Sequence, residues 1–264
     1  MNNPDSNAIK AVFFDVDGTL LPIGSKAVPP STLEAIERLK ENGILTVVAT
    51  GRQIGSYSRS PANSIAFDAY IVANGTMLLD KDRKLISGIP IGQEETKQVL
   101  NLLDEEGIAY AITTLEGRYI NKINETVIET HRQLNTDLPK TGTYKGEDIY
   151  MIEAYIHQDL TQLIEKIRKY CTISRWNENG VDIFSKDAGK DVGIKNLIKI
   201  LNIKPQQTMA FGDAENDIRM IKYAGTGVAM GNADQSVKDT ADYVTDAADN
   251  NGIENALKHF GLIH

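Results

Sequence analysis

The sequence predicts an α/β protein with a doubly wound, mostly parallel sheet and an inserted α+β domain. Three observations predict this architecture. Short apolar runs alternate with helical segments in residues 9–73, hairpin-like pairs of strands fill the middle of the chain, and the alternation returns from residue 190 onward. Continuous apolar runs are typical of strands buried on both faces of a parallel sheet. Their alternation with helices indicates βαβ units.

The first part of the chain supplies three strands and a helix between the first two of them. We predict the strands at 9–14, 44–49 and 70–73. The helix is predicted to begin near Pro30 and to stop at Gly43, because its apolar residues recur on one face. Ser31 and Glu34 have the spacing of a capping box at its start.

After Asn74 and Gly75 the pattern changes to hairpin-like pairs of strands mixed with helices. Strands are predicted at 77–79, 84–89, 108–113, 118–121, 148–156, 172–176 and 181–185, and helices at 93–106, 125–134 and 160–170. This mixture predicts an α+β insert with an antiparallel sheet. We therefore divide the chain into a core of residues 1–86 and 187–264 and an inserted domain of residues 87–186, which is an ordinary domain size.

The last part of the chain returns to the pattern of the core. A helix is predicted from Lys190 to about Leu201. It is followed by strands at 208–211, 227–230 and 243–245 and by helices at 216–223 and 252–260.

Composition and charge exclude several classes of function. The net charge of the 264 residues is −8 and no dense run of Lys or Arg offsets it, so we expect no nucleic-acid partner. No apolar run approaches the length that crosses a bilayer, so we expect no membrane partner. The polar residues 1–6 predict no secretory signal. The single cysteine, Cys171, fits a cytoplasmic location and the role of a small buried hydrophobe. We expect a monomer or a weak homodimer.

Polar residues follow three of the predicted core strands, at the point where each strand ends. Because ligands of parallel sheets bind beyond the carboxyl ends of the strands, four aspartates are expected to converge there: Asp15, Asp17, Asp213 and Asp217. Two carboxylates about 4 Å apart repel each other by about 4 kcal/mol at an effective dielectric near 20. Such a cluster needs a cation. Oxygen ligands without nearby His or Cys point to a hard ion, and Mg²⁺ fits best.

Thr50 and Lys190 extend this cluster toward phosphoryl-transfer chemistry. Thr50 supplies a hydroxyl after the second strand, and Lys190 is a cation at the start of a helix. The metal ion and Lys190 would offset charge when a carboxylate attacks an anionic phosphoryl group, and a second carboxylate could transfer protons.

Four segments resemble, in order, the four motifs of the haloacid dehalogenase (HAD) superfamily. They are Asp15-Val16-Asp17-Gly18-Thr19-Leu20, Thr50-Gly51-Arg52, Lys190, and Gly212-Asp213-Ala214-Glu215-Asn216-Asp217. The flanking segments 72–75, 228–233 and 241–245 look like those of the Cof-type subfamily of sugar-phosphate and cofactor phosphatases. The resemblance implies a Rossmann-like HAD core, a class IIB cap and an Mg²⁺-dependent phosphatase.

The resemblance also implies a role for each site residue. Asp15 would be the nucleophile that forms an aspartyl-phosphate and ligates the metal. Asp17 would protonate the leaving group, activate water and ligate the metal through its backbone carbonyl. Asp213 would ligate the metal directly, with Asp217 in support. The substrate phosphate would be held by six residues: Asp15, Gly18, Thr50, Gly51, Lys190 and Asn216.

Two positions depart from the family pattern. Asp191 follows Lys190, and Ala214 follows Asp213, where Gly is common in the family.

Two functions stay open. Hydrolysis of a small phosphorylated metabolite is the first hypothesis. The alternative is a phosphosugar mutase, since the related phosphomannomutases share the motifs and a similarly placed insert. Hexose phosphates, erythrose 4-phosphate, flavin mononucleotide and pyridoxal phosphate all remain possible substrates, and we expect the insert to act as a cap that selects among them.

Overall fold

The structure is a computed structural model that describes residues 8–134 and 136–264. The segment 1–6, from which we predict no secretory signal, lies outside the described residues. The described residues form two compact units. We call residues 8–87 with 189–264 the core unit and residues 88–188 the inserted unit. Across the two described stretches, no helix combines the length and the apolar character that a membrane span requires.

The core unit is built on one eight-stranded sheet. Its strands are β1 (Ala11–Phe14), β2 (Leu45–Ala49), β3 (Ala69–Val72), β4 (Met77–Asp80), β5 (Leu85–Gly88), β11 (Thr208–Gly212), β12 (Thr226–Ala229) and β13 (Tyr243–Val244). They lie in the order β13-β12-β11-β1-β2-β3-β4-β5. Every pair from β13 to β3 is parallel, and β4 runs antiparallel to β3. The predicted doubly wound, mostly parallel sheet is confirmed.

Helices surround this sheet. They are α1 (Pro30–Glu41), α2 (Ile54–Tyr57), α6 (Lys190–Ile200), α7 (Ile218–Tyr223), α8 (Gln235–Lys238) and α9 (Gly252–His259). Leu197 of α6, Met220 of α7 and Val237 of α8 lie in the same buried apolar cluster as Phe13 and Val47 of the sheet. The short helices α2 and α8 are additions to the predicted elements, because four residues are too few to give a helical period in the sequence.

The predicted capping box of α1 is wrong. The helix begins at Pro30, and among residues 8–134 and 136–264 no side chain caps it. Proline is favoured at the first helical position because its backbone dihedral already fits a helix and it has no N–H to satisfy. Ser31 therefore lies inside the first turn, where its hydroxyl donates to Asn251 Oδ1 at 2.7 Å.

The inserted unit has its own five-stranded sheet and its own core. Its strands are β6 (Tyr110–Thr114), β7 (Gly117–Ile120), β8 (Met151–Ala154), β9 (Thr172–Asn177) and β10 (Gly180–Phe184), in the order β7-β6-β8-β10-β9. All neighbouring pairs are antiparallel. Its helices are α3 (Gln93–Glu105), α4 (Glu125–Gln133) and α5 (Thr161–Arg168). Apolar residues of α3 and α5 form one cluster with the sheet, and Cys171 is buried in it, as predicted.

The order of the central strands determines where the predicted site residues lie. β1 lies between β11 and β2, and Phe14 is in register with both Phe211 and Val48. All three strands are parallel, so their carboxyl ends meet at one edge of the core sheet. Asp15 follows β1, Thr50 follows β2, and Asp213 follows β11.

Candidate active site

The chain makes a tight turn directly after β1. The backbone N–H of Gly18 donates to the carbonyl of Leu21 at 2.8 Å, and the N–H of Leu21 donates to the carbonyl of Val16 at 2.8 Å. Gly18 has φ = 85°, a left-handed conformation that glycine adopts without steric cost. This turn buries Asp15 to 5% exposure and leaves the side chain of Asp17 44% exposed. The two carboxylates of one short segment therefore have different environments.

Lys190 is a buried cation between two of the aspartates. It is the first residue of α6 and is 2% exposed. Its Nζ lies 2.6 Å from Asp15 Oδ1 and 2.5 Å from Asp217 Oδ1. Burial alone would lower the pKa of Lys190, but the charges of the two carboxylates reverse this effect and raise the pKa. Lys190 is therefore a permanent positive charge beside Asp15.

Asp213 and Asp217 complete the cluster in different ways. Asp217 Oδ2 accepts the backbone N–H groups of Asp213 and Ala214, each at 3.0 Å, while its other oxygen accepts from Lys190. Asp213 lies against the turn after β1, where its Oδ1 accepts the hydroxyl of Thr19 at 2.9 Å. Both oxygens of Asp217 have protein partners, so its main contribution is to hold Lys190 and the loop after β11.

The carboxylates of Asp15 and Asp217, which are buried, and of Asp213, which is partly buried, fit a divalent metal ion. One oxygen from each of Asp15, Asp213 and Asp217 lies within 4.8 Å of the other two. Lys190 pairs with Asp15 and Asp217, and one ammonium group cannot balance three negative charges. Burial, followed by the charge of Asp217, raises the pKa of Asp15 well above its usual range and raises the pKa of Asp213 to about 7. A hard cation with oxygen ligands would relieve this repulsion.

The second acidic group of the turn, Asp17, is paired with Arg52. Arg52 Nε lies 2.6 Å from Asp17 Oδ2, and Nη2 lies 2.7 Å from Oδ1. The hydrogen bond to Asp17 is the main reason that the pKa of Arg52 is raised. Arg52 was not among the predicted site residues, although it belongs to the Thr50-Gly51-Arg52 motif. The feature that could have indicated Arg52 is its position two residues after Thr50, just before the start of α2.

The remaining predicted residues lie in the loops that follow β2 and β11. Thr50 is buried, and its hydroxyl accepts the backbone N–H of Arg52 at 3.1 Å. A Cβ atom added to Gly51 would lie 3.0 Å from Asn74 Oδ1, which also accepts from Asn216 Nδ2 at 3.1 Å. Asn74 also donates its backbone N–H to the carbonyl of Thr50 at 3.1 Å, so it connects the loop after β2 to the loop after β11. Asn74 was not among the predicted site residues, although Asn-Gly at the end of a strand is a turn signal.

A comparison with known families identifies this arrangement. A family model of haloacid dehalogenase-like hydrolases matches residues 12–257. The chain belongs to this family. YkrA of Bacillus subtilis strain 168 is 30% identical over 260 residues, which cover 96% of this chain and 98% of YkrA.

Solved structures of HAD phosphatases are similar over nearly the whole chain. BT1666 from Bacteroides thetaiotaomicron has a TM-score of 0.87 and 30% identity and covers 100% of this chain and 99% of its own. The subclass IIB sugar phosphatase BT4131 has a TM-score of 0.85 and 32% identity, with 96% and 100% covered. The predicted Cof-type HAD membership, the fold class and the assignment as a phosphatase are confirmed.

In this HAD phosphatase, Gly18 lies in close contact with an acidic side chain. A Cβ atom added there would lie 2.1 Å from Asp213 Oδ2. We expect Gly18→Ala to displace Asp213, to weaken metal binding about 10- to 100-fold and to lower the melting temperature. Calorimetric titration with Mg²⁺ and a thermal melt measure both effects. Gly24→Ala is the matched control, since Gly24 also has a positive φ but no atom of the described part of the chain lies within 4 Å of an added Cβ. Equal losses in metal affinity for the two variants would contradict this prediction.

Proposed function

We propose that the chain catalyses Mg²⁺-dependent hydrolysis of phosphomonoesters of small metabolites, either sugar phosphates or phosphorylated cofactors. The reaction passes through an aspartyl-phosphate on Asp15. One observation carries the proposal: the buried Asp15 carboxylate lies 2.6 Å from the Lys190 ammonium, next to the buried Asp217 and the partly buried Asp213, which suit a metal ion. The sugar phosphatase BT4131, which is 32% identical, supports the sugar-phosphate branch. We also propose that the protein acts in the cytoplasm.

Asp15, the backbone carbonyl of Asp17, and Asp213 would hold the Mg²⁺ ion, with Asp217 in support. The donor set fits, because hard oxygen ligands and an excess of buried negative charge are what Mg²⁺ prefers. When bound, the ion neutralises negative charge on the phosphoryl group and on the attacking carboxylate.

In the first half of the reaction, a carboxylate oxygen of Asp15 attacks phosphorus. The bond between phosphorus and the leaving-group oxygen breaks, and that oxygen takes a proton from Asp17. Lys190 stabilises the negative charge shared by Asp15 and the phosphoryl group. Asp17 must carry a proton for this step. The two-point contact between Arg52 and Asp17 therefore has to open first.

In the second half, water attacks the phosphorus of the aspartyl-phosphate. Asp17 takes a proton from this water, the bond between phosphorus and the Asp15 oxygen breaks, and inorganic phosphate leaves. The hydroxyl of Thr50 and the polar groups around Gly18, Gly51 and Asn216 would bind the phosphoryl oxygens in both halves. We propose that the inserted unit serves as the cap that excludes bulk water and selects the leaving group.

A phosphate-release screen tests the function. Purified protein would be incubated with hexose phosphates, erythrose 4-phosphate, flavin mononucleotide and pyridoxal phosphate, each with Mg²⁺ and with excess EDTA. We expect phosphate release from at least one substrate in Mg²⁺ and none in EDTA. A full rate in EDTA would contradict the metal dependence. Isomerisation of a sugar phosphate without phosphate release would favour the mutase instead.

The raised pKa of Asp213 predicts that Mg²⁺ affinity depends on pH. Metal binding needs the ionised carboxylate, so below the pKa of about 7 a proton has to leave. We expect the apparent dissociation constant for Mg²⁺ to rise about tenfold per pH unit below this pKa and to level off above it. Calorimetric titration across this range measures the slope. A dissociation constant independent of pH would contradict the prediction.

The same pKa shift predicts the sign of a stability change in the metal-free protein. The folded-state pKa of Asp213 lies above its ordinary value of 3.8. The contribution of this group to stability is therefore present below about 3.8 and is lost as the pH rises through about 7. We expect the melting temperature without metal to fall across this window and Mg²⁺ to restore it at the upper end.

A further inference from the structure

Asp191 is a buried charge that the proposed mechanism does not use. It is 4% exposed and directly follows Lys190 in the first turn of α6. Its Oδ1 lies 3.0 Å from Arg219 Nε, and its Oδ2 lies 3.2 Å from Arg219 Nη2 and 3.0 Å from Lys195 Nζ. Two cations thus neutralise the buried carboxylate of Asp191.

Two neighbouring ion pairs connect the start of α6 to the start of α7. In one pair α6 supplies the cation, and in the other it supplies the anion. Lys190 at the start of α6 contacts Asp217, and Asp191, the next residue, contacts Arg219 at the start of α7. The first pair is fully buried, whereas the side chain of Arg219 is 50% exposed. Because the cation and the anion are exchanged between the two pairs, a slip of α6 by one residue would bring like charges together. The two pairs therefore specify one register of α6 against α7.

The start of α6 also packs closely against the turn that follows β3. A Cβ atom added to Gly75, which has φ = 86°, would lie 2.0 Å from the carbonyl oxygen of Gly189. A negative charge in the first turn is favoured by the helix dipole, while a lysine there is not. Asp191 thus offsets the unfavourable position of Lys190 in addition to contacting Arg219.

We infer that Asp191 and Arg219 form a positioning pair that holds Lys190 on Asp15. The inference rests on the proposed function, in which Lys190 stabilises charge at Asp15. Asp191 acts through Lys190, because the two residues are adjacent in the chain. Arg219 of α7 holds Asp191 in place through their ion pair. A displacement of about 1 Å at Lys190 is enough to cost up to about 100-fold in rate.

Asp191→Asn and Arg219→Gln test the pair, with two measurements on each variant. We expect kcat to fall about 10-fold in both variants while KM stays within about twofold, because the loss affects the transition state more than substrate binding. The double variant should lose little more than either single variant, because both remove the same contact. Arg219→Lys should retain more activity than Arg219→Gln. Asp191→Gly is the second variant if Asp191→Asn does not fold.

The second measurement does not depend on activity. The rate at which an amine-reactive reagent labels Lys190, followed by peptide mass spectrometry, reports how well Lys190 is held in its buried position. We expect labelling to rise about tenfold in Asp191→Asn and Arg219→Gln. Glu254→Gln is the matched control, because it breaks an ion pair of similar length, 2.7 Å to Lys258, in the same unit; it should change neither kcat nor labelling.

The outcomes separate this inference from the proposed function. Faster labelling with a lower kcat supports the positioning role. An unchanged labelling rate overturns it, whatever the activity and the melting temperature do. If the wild-type protein releases no phosphate from any substrate, the proposed function fails, and the labelling rates alone decide whether the pair holds Lys190.

Discussion

Asp15→Asn is expected to lower kcat by a factor on the order of 10⁴ or more. The amide cannot act as the nucleophile, so no aspartyl-phosphate forms. Asn keeps the size of the side chain and an oxygen that can still accept from Lys190, whose Nζ lies 2.6 Å from Asp15 Oδ1. Steady-state phosphate release with the best substrate of the screen measures the effect.

The same substitution should leave folding intact. Burial and the charge of Asp217 raise the pKa of Asp15, which means that the fold disfavours its ionised form. We therefore expect the metal-free Asp15→Asn protein to melt at the wild-type temperature or above it. Asp82→Asn is the matched control, since Asp82 is an exposed aspartate of the core unit. Near-wild-type activity in Asp15→Asn would refute the nucleophile assignment.

Lys190→Met is expected to damage both activity and stability. It removes the charge that contacts Asp15 and Asp217, both of which are buried. Breaking a buried ion pair by removing one partner costs about 3–5 kcal/mol, because the other partner stays buried without compensation. We expect kcat to fall about 10²- to 10³-fold, as for the loss of other groups that stabilise charge in a transition state.

The pH dependence of Lys190→Met distinguishes lost charge from lost packing. Without Lys190, the folded-state pKa of Asp15 should rise further above its ordinary value. A group with a raised pKa loses its contribution to stability as the pH increases, so the destabilisation should be larger at about pH 8 than at about pH 5. Denaturant unfolding at both values measures it. Lys199→Met, at an exposed position of α6, is the control.

If Lys190→Met does not fold, Lys190→Arg keeps the charge and tests the geometry alone. We expect this variant to fold and to lose activity, because a planar guanidinium does not fit a site built around a point charge. A destabilisation of Lys190→Met that is independent of pH would show that packing, not charge, is its cause.

The sequence was enough to predict which side chains meet at the edge of the core sheet, because these side chains directly follow the ends of buried strands. Buried parallel strands appear as apolar runs, and polar residues that follow such runs meet at one edge whatever lies between them in the chain. Asp15 and Lys190 are separated by 175 residues and still lie in contact. The structure gives the surroundings of Thr50, Gly51 and Asn216 within the protein. Their roles in binding the substrate stay predictions.

The contacts between side chains were less predictable because they depend on packing. The pairing of Asp17 with Arg52 requires the chain to turn into α2, a helix too short to leave a period in the sequence. The role of Asp191 depends on how α6 lies against α7, and no local pattern indicates Arg219 as its partner. The capping box failed for a local reason, since Pro30 starts α1 before Ser31 can cap it.

Detection of the phosphoryl group on Asp15 tests the central claim most directly. Wild-type protein and the Asp17→Asn variant would be mixed with Mg²⁺ and an ester whose leaving group needs no proton, quenched in acid within one turnover, digested and analysed by tandem mass spectrometry. We predict a phosphorylated peptide spanning residues 11–26, with the label on Asp15 and with more label in Asp17→Asn, because its hydrolysis is slower. Phosphate release without any label on this peptide, or a label on another residue, would contradict the account.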